Sequence, residues 1–256
     1  MSELPVHSDS WAELRRYTQA RIALGRIGAS LPTSAVLEFS MAHARARDAV
    51  HRSLETDELS FRFEEEGFPT IRAWSQATSR AEYLRRPDLG RRLHPDCRAS
   101  LVAIEPAPPR RLAVVVADGL SSLAPARHAL PLLLELRARV VDWTLDVVVI
   151  ATQARVALAD EIGELRGAEA AVILLGERPG LSAIDSLGIY LLYAPHRGRT
   201  DAERNCISNV RSEGLGYPEA AYRLHYLLNQ SRLVGRSGLS VKDSSESVGP
   251  SLPKGS

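Results

Sequence analysis

At 256 residues, 45% apolar and 25% charged, the chain is long enough to bury a substantial core and has the composition of a water-soluble globular protein. A formal net charge of +1 leaves no concentrated basic face for a nucleic-acid backbone, and the longest apolar runs, such as residues 147–151, fall well short of a membrane span. Cys97 and Cys206 are too few for a disulfide framework and too far apart for a CxxC clip, which fits a reducing compartment; the opening MSELPVHSDSW lacks the layout of a secretory signal, so a cytoplasmic location is expected.

From residue 10 to 27, Leu14, Tyr17, Ile22, Ala23 and Ile27 recur at helical spacing among arginines, which predicts a first helix. Pro32-Thr33-Ser34 opens a second, with Val36, Leu37, Phe39, Met41, Ala44 and Val50 as its apolar positions. Residues 55–69 are acidic and broken. A third helical stretch starts near Thr78, is interrupted at Arg86-Pro87-Asp88 and resumes over residues 89–93. Residues 1–105 thus read as a mainly helical N-terminal region.

Pro106-Ala107-Pro108-Pro109 reads as a stiff connector, and beyond it the character changes. Four short apolar runs follow, over residues 112–117, 145–151, 170–175 and 188–193, each too short for a stable helix and rich in β-branched residues. Helical patterns over residues 126–141 and 155–165 separate the first three. This alternation predicts an α/β fold with βαβ crossovers and a mainly parallel sheet flanked by helices. The connection over residues 177–187 is too short for a crossover, so the fourth run is free to pair differently. A final helix is expected over residues 218–234, on Ala221, Leu224, Leu227, Leu228 and Leu233. The Ser-, Gly- and Pro-rich residues 239–256 read as a disordered tail, leaving residues 106–238 as the sheet domain.

In an open parallel sheet, ligands bind beyond the carboxyl ends of the strands. Here those ends are Asp118-Gly119-Leu120-Ser121-Ser122, Thr152-Gln153-Ala154-Arg155-Val156, Gly176-Glu177-Arg178-Pro179-Gly180 and residues 195–199, all polar or turn-forming. Each loop alone is explained by caps and turns; four together point to a site. Thr200-Asp201-Ala202-Glu203 has the capping-box pattern, which predicts a helix with Cys206 near its second turn. Asp118, Glu177 and Asp185 are candidates for an acid/base pair. No GxGxxG follows the first strand, no GxxxxGK[ST] or GxSxG is present, and the seven histidines show no metal-ligand spacing, so dinucleotide, P-loop and metallohydrolase chemistry are not indicated.

GERPGLS, DSLGIYL and TDAERNCISN resemble the signatures of the light (small) chain of ethanolamine ammonia-lyase, and ADGLS, QARVALADEIG and SRAEYLRRPDLGRRL extend the resemblance over most of the sequence. The resemblance implies a Rossmann-like sheet domain and the cofactor adenosylcobalamin, held at the interface with a TIM-barrel heavy chain that carries the substrate site, in an assembly of six heavy and six light chains. It implies that this chain supplies no catalytic residue and no metal ligand, and that Val156, Glu177 and Cys206 contact cobalamin; Asp118, Ser121 and Arg178, at the same strand ends, are candidates for further contacts. It also implies that benzimidazole stays on cobalt, since the DxHxxG motif is absent. Homolysis of the cobalt–carbon bond would then start a radical conversion of ethanolamine to acetaldehyde and ammonia. Because the first helical block begins almost at Met1, an N-terminal signal for bacterial microcompartments is not expected. Two other readings stay open on the residues alone: a non-catalytic module for another nucleotide-like ligand, and a hydrolase using Asp118, Ser121 or Cys206.

Overall fold

The computed structural model describes residues 9–102 and 110–245. The connector at residues 106–109 and residues 246–256 of the expected tail lie outside them. The fold is built on one six-stranded sheet: β1 (Thr70–Trp74), β2 (Arg111–Ala117), β3 (Thr144–Thr152), β4 (Ala170–Gly176), β5 (Leu187–Tyr193) and β6 (Asn205–Val210), in spatial order β1-β3-β2-β4-β5-β6. The helices are α1 (Thr33–His51), α2 (Thr56–Glu65), α3 (Arg80–Arg85), α4 (Pro95–Val102), α5 (Leu123–Arg137), α6 (Leu158–Leu165) and α7 (Tyr217–Val234).

Strands β2 and β4 are buried along their whole length, as continuous apolar runs in a covered sheet should be. Side-chain alternation divides them between two cores. Leu112, Val114 and Val116 face Leu132, Leu136, Leu224 and Leu228 of α5 and α7, whereas Val115 and Ala117 face Leu158 and Ile162 of α6 and Leu101 of α4. Helices α5 and α6 supply the crossovers that keep β3, β2 and β4 parallel. Helix α7 begins with Pro218 in its first turn and ends at Gly235, whose φ of 74° closes it in the left-handed conformation.

The mainly parallel expectation is corrected: the sheet is mixed. β1, β3, β2 and β4 pair in parallel, but β5 runs antiparallel to β4 and β6 antiparallel to β5. The short connection after β4 cannot carry the chain back for another parallel strand, so β5 returns beside β4 with Gly176 opposite Leu187.

Four local expectations are corrected as well. The first helix is only a 3-10 turn at Ala12–Tyr17 with no buried residue, so nothing holds a longer helix there. The acidic stretch does form a helix, α2, which buries Leu59 and Phe63, and β1 brings the N-terminal region into the sheet. The capping box at Thr200 is formed, yet it starts one 3-10 turn (Asp201–Glu203), after which Asn205–Val210 becomes edge strand β6. Its Asn, Ser and β-branched residues are weak helix formers, and burial of Ile207 and Val210 against the sheet decides the conformation. Residues 239–245 of the expected tail pack on the body: Val241 is buried in the core and its carbonyl accepts from Asn205 Nδ2 at 2.8 Å.

Candidate functional site

The carboxyl ends of β2 and β4 meet through two glycines. The Leu120 N–H donates to the Gly176 carbonyl at 2.8 Å. A side chain at Gly119 (φ 53°) would place its Cβ 2.2 Å from that same oxygen, and one at Gly176 would lie 1.9 Å from the Ser121 carbonyl. Only glycines permit this approach, which closes the floor beneath a cleft of about 800 Å³.

Asp118 sits below that floor, almost wholly buried. Its carboxylate accepts from the Gln153 and Ala154 amides at 2.9 and 3.1 Å and from Arg80 Nη1 at 3.2 Å. Burial raises its pKa while Arg80 pulls it down. Arg80 also donates to the Gly119 and Val50 carbonyls, so the Asp118–Arg80 pair ties the ends of β2 and β3 to α1 and α3. Ser121 Oγ donates to the Ile184 carbonyl at 2.7 Å. Both Asp118 and Ser121 are committed inside the scaffold and neither lines the cleft.

Val156 and Glu177 do line it. Val156 occupies the turn between β3 and α6 rather than the helix itself, half-buried against the α6-side core. Glu177 is the first residue after β4, half-buried, with Oε2 accepting from Ser186 Oγ and from the Asn209 N–H at 3.3 Å. Gly188 leaves room for this carboxylate, since a Cβ there would lie 3.1 Å from Glu177 Oε1. Two neighbours thus hold Glu177 in place at the cleft wall. Arg178, exposed on the following turn, lines the cleft beside it.

Cys206 is brought near but is not part of the lining. It lies on exposed edge strand β6 directly opposite Tyr190 of β5, whose side chain does face the cleft. The Cys206 sulfur lies 3.3 Å from Ser208 Oγ. Desolvation by neighbouring atoms pushes both the thiol and the phenol above their ordinary ranges, the opposite of the shift that activates a cysteine nucleophile. Asp185 lies elsewhere, paired with Arg127 at 2.6 Å and near His128, so Asp118, Glu177 and Asp185 do not converge. The acid/base and hydrolase readings lose their geometry with that.

Several lining residues were not singled out from the sequence. Tyr190 carries a hydroxyl within an apolar run, the one signal that marked it, whereas Tyr83 lies in a charged helical stretch that gave none. Arg199 pairs with Glu203 of the capping box four residues on, and Arg204 makes a bidentate pair with Asp160 at 2.7 and 2.8 Å, joining far-separated positions that spacing could not connect. An apolar wall of Val156, Ala157, Leu120 and Leu175 faces arginines, Glu177 and two tyrosine hydroxyls, a lining that suits a large ligand with both apolar and hydrogen-bonding parts.

Residues 8–242 match the family model described as ethanolamine ammonia-lyase light chain (EutC). Among similar proteins, the ethanolamine ammonia-lyase small subunit of Pseudomonas syringae pv. tomato is 54% identical over 243 residues, covering 93% of this chain and 85% of its own. That of Azotobacter vinelandii is 53% identical over 246 residues (94% and 91%), and that of Pseudomonas fluorescens strain SBW25 is 50% identical across 100% of this chain and 97% of its own.

Proposed function

The chain belongs to the family of ethanolamine ammonia-lyase light chains, and from that premise we propose that it is the small subunit of a two-chain, adenosylcobalamin-dependent lyase converting ethanolamine to acetaldehyde and ammonia. In this reading the chain holds one side of the cofactor at the interface with a TIM-barrel heavy chain, which carries the substrate site. Six heavy and six light chains make the assembly, and the enzyme works in the cytoplasm. Among the described residues no helix is long and apolar enough to cross a membrane.

The observation that carries the reading is the cleft beyond the β2–β4 strand ends, with Val156 and Glu177 on its walls and Cys206 next to it through Tyr190. Its volume of about 800 Å³ is within the range of small-molecule sites, and cobalamin is bulkier than a drug-sized ligand, so a partner chain is needed to cover the remainder. Glu177, oriented by Ser186 and Asn209, accepts hydrogen bonds from corrin amide groups. Val156 offers an apolar wall. Cys206 acts by packing through its sulfur. When bound, the cofactor supplies the radical chemistry, and the chain's own work is to bind and orient it and keep water from that side.

The test is release of ammonia and acetaldehyde from ethanolamine with added adenosylcobalamin, for the heavy chain alone and for the heavy chain with this one. Activity only in the pair is the expected result. Full activity of the heavy chain alone, or silence from an assembled pair, overturns the reading.

A further inference from the structure

The ring of Tyr83, fully buried, is stacked by two arginines. Arg80 Cζ lies 4.9 Å from its centroid and Arg155 Cζ 4.3 Å. The two cations are not alike: Arg80 is neutralised by Asp118, whereas Arg155 makes no ion pair among the described residues. Arg155 is nonetheless firmly placed. Its backbone N–H donates to the Gly90 carbonyl at 2.8 Å, and its stem crosses Gly90 so closely that a Cβ there would lie 2.9 Å from Arg155 Cγ. Its Nη2 reaches the Tyr83 carbonyl at 3.4 Å, while its Nε is buried with no hydrogen-bond partner. A half-buried guanidinium whose Nε has no acceptor and whose charge has no counterion is unusual, because a desolvated charge is costly unless something pairs with it.

Arg155 also stands where two concave surfaces join. Together with Leu120 and Arg178 it lines both the cofactor cleft and a neighbouring groove of about 470 Å³ against α1. Arg178 makes no ion pair among the described residues either. The other cleft arginines with buried stems are already matched, Arg199 to Glu203 and Arg204 to Asp160. Arg91, Arg155 and Arg178 are thus the cleft arginines without an ion pair among the described residues, and of the three Arg155 is the one fixed by stacking. A planar guanidinium fixed by stacking presents its donors in the fork that fits two oxygens of one phosphate.

We propose that Arg155, assisted by Arg178, binds the phosphodiester of the cofactor's nucleotide loop, so that this seam is the anion subsite of the cleft. The proposal rests on the cobalamin reading given above. It separates the cofactor's neutral corrin, held by Val156 and Glu177, from its one anionic group, held at the seam.

The experiment is equilibrium binding, followed by visible absorption, of the assembled heavy and light chains with adenosylcobalamin and with adenosylcobinamide, which keeps the corrin but lacks the phosphodiester and its base. Arg155→Gln should weaken adenosylcobalamin by about 10- to 100-fold, the effect of losing a hydrogen bond to a charged group, and change adenosylcobinamide by less than about twofold. Arg155→Lys keeps the charge without the fork and should fall between, and it serves as the test if the glutamine variant does not assemble. Equal losses for both corrinoids, or no loss for either, overturn the proposal, since the arginine would then support the scaffold or the corrin. Unchanged cobalamin affinity in Arg155→Gln, with inorganic phosphate bound by the wild-type complex alone, assigns the arginine to free phosphate and also overturns it. A wild-type complex that takes up neither corrinoid sinks the functional reading itself, a result distinct from selective failure at Arg155.

Discussion

Arg80 and Asp118 form a buried ion pair, Nη1 to Oδ2 at 3.2 Å, that fastens helix α3 to the ends of β2 and β3 directly under the cleft. The pair is structural: Asp118 reaches two backbone amides as well as the arginine and is closed off from ligand. Asp118→Ala leaves a buried arginine without its counterion and two amides without an acceptor. The expected loss is about 3–5 kcal/mol of folding stability, read from denaturant unfolding. A stable Asp118→Ala chain with impaired turnover would instead mean that the carboxylate takes part in the chemistry.

The two-glycine crossing makes a second, sharper demand. Gly119→Ala puts a side chain in a left-handed conformation and 2.2 Å from the Gly176 carbonyl. The backbone conformation alone costs about 1–3 kcal/mol, and the clash adds to it, so the thermal midpoint should fall by several degrees. Gly167→Ala, at φ 58° with open space around it, is the control: it should carry the conformational cost alone and fall less.

Much of this arrangement was legible in the sequence, for identifiable reasons. Strands β2 to β5 were anticipated to within about two residues because a continuous β-branched run in a covered sheet has few alternatives. β1 was not, because an edge strand that buries only Ala73 and exposes Arg72 and Trp74 leaves little apolar signature. At Thr200 the capping box is real but local, and pairing with β5 overrides it within one turn. The strand-end rule marked the loops that carry Val156 and Glu177, which do meet in one cleft, while the two residues themselves were picked out by the resemblance. It could not give the Tyr83 stack, nor the position of Cys206 behind Tyr190, since both depend on residues brought together by the sheet rather than by spacing.

Cys206 offers a chemical test of its surroundings. With its thiol pushed above the ordinary range by desolvation from neighbouring atoms, it should react with iodoacetamide near neutral pH more slowly than a free cysteine, although it lies on an exposed edge strand. Mass-spectrometric rates for Cys206 that match or exceed a free cysteine would show an activated thiolate and reopen a nucleophilic role.

The capping box predicts a pH effect at the cleft margin, where Thr200 is part of the wall. The Thr200 amide, Arg199 and the Thr200 hydroxyl together hold the Glu203 carboxyl at about 2, below its ordinary 4.5. A depressed carboxyl contributes stability that is fully present above pH 4.5 and is lost as pH falls toward 2. The ¹³C carboxyl shift of Glu203 should therefore titrate near 2. Glu203→Gln, which can keep the capping bond, should flatten the stability profile over that interval, and a midpoint near 4.5 would mean that the turn is not closed.

The most direct test of the account is cobalamin retained by the assembled heavy and light chains after gel filtration, read from its visible absorption, in wild type and in Glu177→Ala. Removal of the carboxylate held by Ser186 and Asn209 should weaken adenosylcobalamin by about 1–3 kcal/mol while the complex stays intact. Identical retention by the two complexes would contradict the claim that this cleft holds the cofactor.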